Sequence, residues 1–250
     1  MTGSQPHRNK GTETRSSSNG ERCVVLIHGL GRSAFAMRGL AQAFRRQNYQ
    51  VLNLDYPSTR LPIDVLARDY VAPIMARAAD FGSIDVVTHS LGGILLRYYM
   101  AHYMMHDTAD QLQSAVARKL HRAVMLAPPN QGSEVPDRLK RLPPARWILG
   151  PVMPALGTDA ASVPRQLAAL EQGQLPCDVG VIAGTKSWEP WFSRWMEGQD
   201  DGKVSVASTR LAGMQDFLEV PVGHTFIMND AFVIRQVFHF LRTGHFQHGE

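Results

Sequence analysis

Cysteine is scarce in this chain: Cys23 and Cys177 are the only two in 250 residues. Each stands at the edge of an apolar run that reads as a strand, so both read as buried free thiols, and a disulfide framework is excluded. Long apolar runs are also lacking. The longest resemble Ala123-Val124-Met125-Leu126-Ala127, far below the ~20 residues that a membrane-spanning helix needs. Charge is sparse, at 19% of residues with a formal net charge of +4, and no cluster of Lys and Arg occurs. That excludes a nucleic-acid groove and leaves only a slight attraction to anionic lipid surfaces or acidic substrates. Residues 1–22 contain Ser, Thr, Gly, Asn and charge but no apolar stretch of the signal-peptide kind. They read as a disordered tail, and the expected setting is reducing and cytoplasmic.

What is present is an ordinary globular composition, 44% hydrophobic, in a length that suits one domain with a substantial core. The domain is expected over 23–243, with a C-terminal tail at 244–250. Apolar runs at 23–27, 49–54, 84–88, 123–127, 179–183 and 217–220 read as strands. Helical patterns lie between them, with Ser33 as the cap of the first, then 61–80 and 91–106, and a last helix over 229–242. Strands alternating with helices predict an α/β fold with a mainly parallel sheet of six to seven strands, covered by helices on both faces. Two stretches break this rhythm. Residues 130–177 are proline-rich and weakly patterned, and 185–202 are aromatic-rich. Both follow the C-terminal end of a strand, where open α/β sheets bind ligands, so the first reads as a lid-like insertion.

The third strand runs into Thr88-His89-Ser90-Leu91-Gly92-Gly93 and straight into a helix. On such a tight turn a serine hydroxyl is lifted off the sheet edge, and small residues on either side let strand and helix approach. The pattern is G-x-S-x-G, with Thr88 in place of the first glycine. Acyl transfer at Ser90 would build negative charge on a carbonyl oxygen, and backbone N–H groups are its usual stabilisers. One donor is expected at Leu91, next to the serine. The second is expected at Leu30, in the turn Ile27-His28-Gly29-Leu30-Gly31, because the loops after the first and third strands face each other where the strand order reverses. His28 reads as a support for that turn.

The base must be a histidine, and ten are available. His7, His245 and His248 lie in tails, and His102, His106, His121 and His239 lie in or beside helices. His89 sits on the elbow and cannot easily turn back onto Ser90; it reads as a substrate-facing residue. His224, after the last strand in Val222-Gly223-His224, remains. The acid that orients it is expected after the fifth strand, in Asp200-Asp201-Gly202; Asp201 is preferred and Asp200 is the alternative.

Together, Ile27-His28-Gly29-Leu30-Gly31, the Ser90 elbow, Pro128-Pro129-Asn130-Gln131-Gly132-Ser133, Asp201-Gly202-Lys203-Val204 and Gly223-His224 resemble the bacterial lipase and esterase families of the α/β-hydrolase superfamily. The resemblance implies a serine esterase or lipase acting through an acyl-enzyme. Ser90 is its nucleophile, His224 its base, and Asp201 its orienting acid; no metal or cofactor is needed. It further implies that Asn130 and Gln131 line the pocket floor. The four tryptophans fall in the two irregular stretches. Trp147, Trp188 and Trp191, with Leu149, are expected to form an apolar rim suited to an acyl chain and to transient contact with a lipid interface. A small-molecule or lipid ester is the only partner implied. An acyltransferase or thioesterase with the same triad, or a ligand-binding protein on this scaffold, remains open.

Overall fold

The apolar runs pair into one sheet. The computed structural model describes residues 21–104, 111–139, 150–187 and 190–249. Its strands are β1 (Arg22–Ile27), β2 (Gln50–Leu54), β3 (Ser83–His89), β4 (Leu120–Leu126), β5 (Asp178–Gly184) and β6 (Asp216–Val220). They are all parallel, in the order β2-β1-β3-β4-β5-β6. Six strands form, so the seventh allowed for in the sequence is absent among the described residues.

Side chains alternate between two cores. Val24, Leu26, Val87, Val124 and Ile182 face one side, where α1 (Arg38–Arg46) and α11 (Ala231–Thr243) cover them. Val25, Ile27, Val86, Met125 and Val181 face the other, under α3 (Ala72–Ala78), α4 (Leu91–Tyr103) and α5 (Gln111–Lys119). Burial on both faces is why the strands read as continuous apolar runs instead of alternating ones. The chain passes from β1 to β2 on one side and returns to β3 on the other. The loops after β1 and β3 therefore meet at the switch point, with Ile27 in register with Thr88.

Several local expectations are revised. Ser33 makes no capping hydrogen bond; Asp55 Oδ1 accepts the Ala34 N–H at 2.9 Å instead, above a 3₁₀ turn that leads into α1. The expected helix over 61–80 is three consecutive pieces: α2 (Ile63–Leu66), a π-helical turn (Ala67–Val71) and α3. Pro73 has no N–H and its ring crowds the carbonyl four residues back, and the widened turn lies there. Helix α5 was not foreseen, because its polar sequence buries only Val116 and shows little periodicity.

The stretch 130–177 is more ordered than its proline content suggested. Its described part contains α6 (Glu134–Leu139), α7 (Val152–Ala155) and α8 (Val163–Glu171). Among the described residues no helix is long and apolar enough to cross a membrane. A buried charge ties this stretch to the body. Arg97, fully buried on α4, donates from Nε and Nη2 to the Glu171 carboxylate, the shortest contact being 2.7 Å, and from Nη1 to the Asn130 carbonyl at 2.8 Å. Asn130 Nδ2 in turn donates to the Thr209 carbonyl, in the short helix α10 (Val206–Thr209).

Removing one partner of such a pair leaves a charge buried without compensation, which is worth about 3–5 kcal/mol. Arg97→Met and Glu171→Leu should each lower the unfolding free energy by that order, and the double variant should lose clearly less than the sum. Urea denaturation of the four proteins measures this; single variants as stable as the wild type would contradict it.

Candidate active site

Ser90 sits between β3 and α4 with φ 51° and ψ −119°. That backbone conformation is strained for a residue with a Cβ, by about 1–3 kcal/mol, and persists only where the surroundings enforce it. The enforcement is visible. The Ser90 N–H donates to the Leu126 carbonyl at 2.9 Å, tying the turn to β4. A Cβ on Gly92 would stand 2.5 Å from the Ile27 carbonyl oxygen, so α4 starts in near contact with the end of β1. Gly29 is equally confined, since a Cβ there would be 2.8 Å from His89 Nδ1. Thr88, the departure from the glycine pattern, is fully buried, and Gly93 is confined by Pro128, whose Cβ would stand 2.9 Å from a Cβ on that glycine.

His224 begins a 3₁₀ turn after β6 (His224–Asn229). Its Nδ1 donates to Asp201 Oδ2 at 2.8 Å, which leaves Nε2 as the acceptor facing Ser90 Oγ at 3.0 Å. Asp201 is bound on every side. Its Oδ1 accepts the N–H groups of Lys203 and Val204 at 3.0 and 2.8 Å, and its carbonyl accepts the His224 N–H at 2.9 Å. Gly184, at the end of β5, makes room for this loop: a Cβ there would be 2.8 Å from that of Asp201. The alternative acid, Asp200, points elsewhere; its Oδ1 accepts from Ser193 Oγ at 2.8 Å and from the Gly202 N–H at 2.7 Å.

Leu91 follows Ser90 at the start of α4, and Leu30 borders the same cavity as Ser90. Among the described residues the N–H of neither enters a backbone hydrogen bond. The turn carrying Leu30 is braced by His28, whose ring stacks on Tyr56 at 4.1 Å and whose carbonyl accepts the Tyr56 hydroxyl at 2.6 Å.

Ser90 opens into a cavity of about 310 Å³. Leu30 and His89 border it, and its apolar wall comes from Pro129, Val135, Leu139, Met153, Leu156 and Phe192, with Arg32 and Lys203 at its polar side. The floor expected from Asn130 and Gln131 is corrected. Asn130 turns into the interior toward Arg97 and Thr209, and Gln131 donates to the Arg210 carbonyl at 3.1 Å. Trp191 is 59% exposed and lines nothing here. Its neighbour Phe192 does, because successive residues of the short helix α9 (Pro190–Ser193) point about 100° apart. Trp147, Leu149 and Trp188 lie outside the described residues. The lining side chains Val135, Leu139 and Leu156 belong to stretches without periodicity. Among the described residues no group of three or more His, Cys, Asp and Glu could hold a metal ion.

The profile of the alpha/beta hydrolase family matches residues 24–246. The chain belongs to the alpha/beta hydrolase family. No curated protein matches it in sequence. Among solved structures it is similar to the mature form of Bacillus licheniformis lipase BlEst2, with TM-score 0.70, 16% identity, and 93% of this chain and 96% of that one covered. It is similar to phospholipase PlaB from Legionella pneumophila, with TM-score 0.63, 19% identity, and 89% and 58% covered. A third is the metagenomic carboxyl esterase MGS0156, with TM-score 0.62, 17% identity, and 86% and 68% covered. At these identities the shared property is the fold.

In this alpha/beta hydrolase His89, which borders the cavity, also supports His224. Its Nε2–H donates to the His224 carbonyl at 3.0 Å, and the two rings lie 5.0 Å apart. Burial pushes His89 well below the ordinary 6.5, with the neighbouring His224, Arg32 and Lys203 acting the same way. Burial also lowers His28. Both are therefore held neutral in the fold, whereas the unfolded chain takes up protons below about pH 6.5. Their stability contribution is complete above that pH and is lost as pH falls below it toward the depressed folded values. The unfolding free energy from urea denaturation should drop between pH 7 and 5, by on the order of 1 kcal/mol per histidine per pH unit at most. His89→Gln should flatten the profile; an equal slope in the variant would contradict this origin.

Proposed function

We propose that this alpha/beta hydrolase cleaves carboxylic esters, with Ser90 as nucleophile, His224 as general base and Asp201 as orienting acid. The observation that carries the reading is the unbroken hydrogen-bonded chain from Asp201 through His224 to Ser90, set at the base of an apolar cavity. In this reading His224 Nε2 takes the hydroxyl proton as Ser90 Oγ attacks the ester carbon. Negative charge on the former carbonyl oxygen is met by the N–H groups of Leu30 and Leu91, donors of a kind worth roughly 3 kcal/mol each. His224 then gives its proton to the departing alcohol oxygen, and the acyl group stays on Ser90. A water deprotonated by His224 releases it. Asp201 keeps Nδ1 protonated and supports the imidazolium. The acyl chain lies against Leu139, Met153, Leu156 and Phe192.

A fluorophosphonate probe should label Ser90, and Ser90→Ala should lose both labelling and hydrolysis of p-nitrophenyl butyrate, a fall on the order of 10⁶ in turnover. Asp201→Asn should lower turnover by ~10⁴, because the wrong imidazole tautomer is then favoured; Asp200→Asn, which removes only contacts to Ser193 and Gly202, should lose far less. Wild-type-like turnover in the alanine variant would reject the assignment.

Each buried acyl methylene contributes ~0.8 kcal/mol at most, so kcat/KM should rise from acetate to medium-chain p-nitrophenyl esters. Leu156→Ala and Phe192→Ala should flatten that rise. An unchanged profile in both variants would place the acyl chain elsewhere.

A further inference from the structure

The cavity facing Ser90 has a neighbour. Arg32 lines the first cavity and also lines a second, of about 600 Å³, between the loop after β1, the first turns of α1 and the 3₁₀ turn after His224. Thr225 and Phe226, the two residues following His224, lie in that second cavity. In the ester-hydrolase reading His224 hands its proton to the leaving oxygen, so the alcohol half of a substrate lies on the His224 side of Ser90. With the acyl half in the apolar cavity, the alcohol half passes Arg32 and enters the second one.

Permanent charge along this path has one sign. Arg32 and Lys203 border the first cavity and Arg32 and Arg38 the second, and among the described residues no Asp or Glu lines either. Arg32 is exposed; its backbone N–H donates to the Gly29 carbonyl at 3.3 Å, and among the described residues its guanidinium makes no ion pair or hydrogen bond. The Arg38 guanidinium is held over the Phe35 ring, 3.8 Å from its centroid. Lys203 Nζ donates to Thr225 Oγ1 at 3.2 Å, which keeps its ammonium beside the residue after His224. A cleft lined by one sign of charge concentrates ligands of the other, and guanidinium groups match phosphate and carboxylate oxygens in pairs.

We propose that the two cavities form one substrate channel, and that its substrates are esters whose alcohol half carries an anionic group, a phosphate or a carboxylate, bound by Arg32 and Arg38. This rests on the ester-hydrolase reading. The bond between the acyl carbon and the alcohol oxygen breaks as Ser90 Oγ bonds that carbon. The Ser90 proton passes through His224 to the departing oxygen, and the alcohol leaves with its anionic group unchanged.

The test compares kcat/KM for soluble monobutanoylglycerol and for its glycerol phosphate counterpart, with p-nitrophenyl butyrate as the neutral reference. The phosphate ester should be preferred at least about fivefold at low salt, the size expected of partly exposed charge pairs, and the preference should shrink at high salt. Arg32→Gln and Arg38→Gln should each reduce the ratio, and Arg32→Glu should invert it. A second arm uses vesicles of phosphatidylglycerol and of phosphatidylcholine. A preference seen with the soluble pair assigns the channel to free anionic esters. One seen only with phosphatidylglycerol vesicles, and lost in Arg32→Gln, assigns it to a lipid headgroup. Equal kcat/KM for all matched pairs, in a protein that still cleaves p-nitrophenyl butyrate, overturns the anionic channel and leaves ester hydrolysis standing. A protein that cleaves no ester and leaves Ser90 unlabelled overturns both.

Discussion

Ser90 is held at a positive φ because β3 must turn into α4 with almost no space around the junction. The crowding comes from three directions: the Ile27 carbonyl presses on Gly92, His89 presses on Gly29, and the Leu126 carbonyl holds the Ser90 N–H. Each contact belongs to a different strand end. The strain at one residue is therefore sustained by packing across β1, β3 and β4.

The histidine side is assembled by hydrogen bonds where the serine side is assembled by sterics. His224 is gripped through its ring by Asp201, through its N–H by the Asp201 carbonyl, and through its carbonyl by His89. A buried neutral imidazole is well suited to the last task, because it donates a hydrogen bond without bringing a charge beside the ring it supports. The arrangement also exposes a weakness. Protonation of His89 would bury a charge against His224, so the groups that order the site make the fold sensitive to acid.

Behind the site, Arg97 performs a different service. It lies on the helix that starts at Ser90, and its guanidinium reaches both the start of the 130–177 stretch, at Asn130, and its last described helix, at Glu171. The residues between these anchors include Leu139, Met153 and Leu156, which wall the cavity. One buried charge thus ties the cavity wall to the helix that starts at Ser90. Asn130 is consumed in that network, which is why it is unavailable to the pocket floor.

Local chemistry in the sequence was enough to identify the strands, the parallel sheet and the elbow at Ser90, and it narrowed the acid facing His224 to Asp201 or Asp200. Buried parallel strands leave continuous apolar runs, and a strained turn needs glycines at set offsets; both are properties of neighbouring residues. Short polar helices such as α5, the π-helical turn before Pro73, and the ordered pieces within 130–177 left no comparable trace. Their stability comes from packing against the body and not from their own periodicity. The same limit applied to the pocket wall. Whether Asn130 or Val135, Trp191 or Phe192, faces Ser90 depends on the direction each side chain takes after a few irregular turns. Only the tertiary structure decides that, because the competing demand, here the need of buried Arg97 for acceptors, comes from a residue far away in the chain.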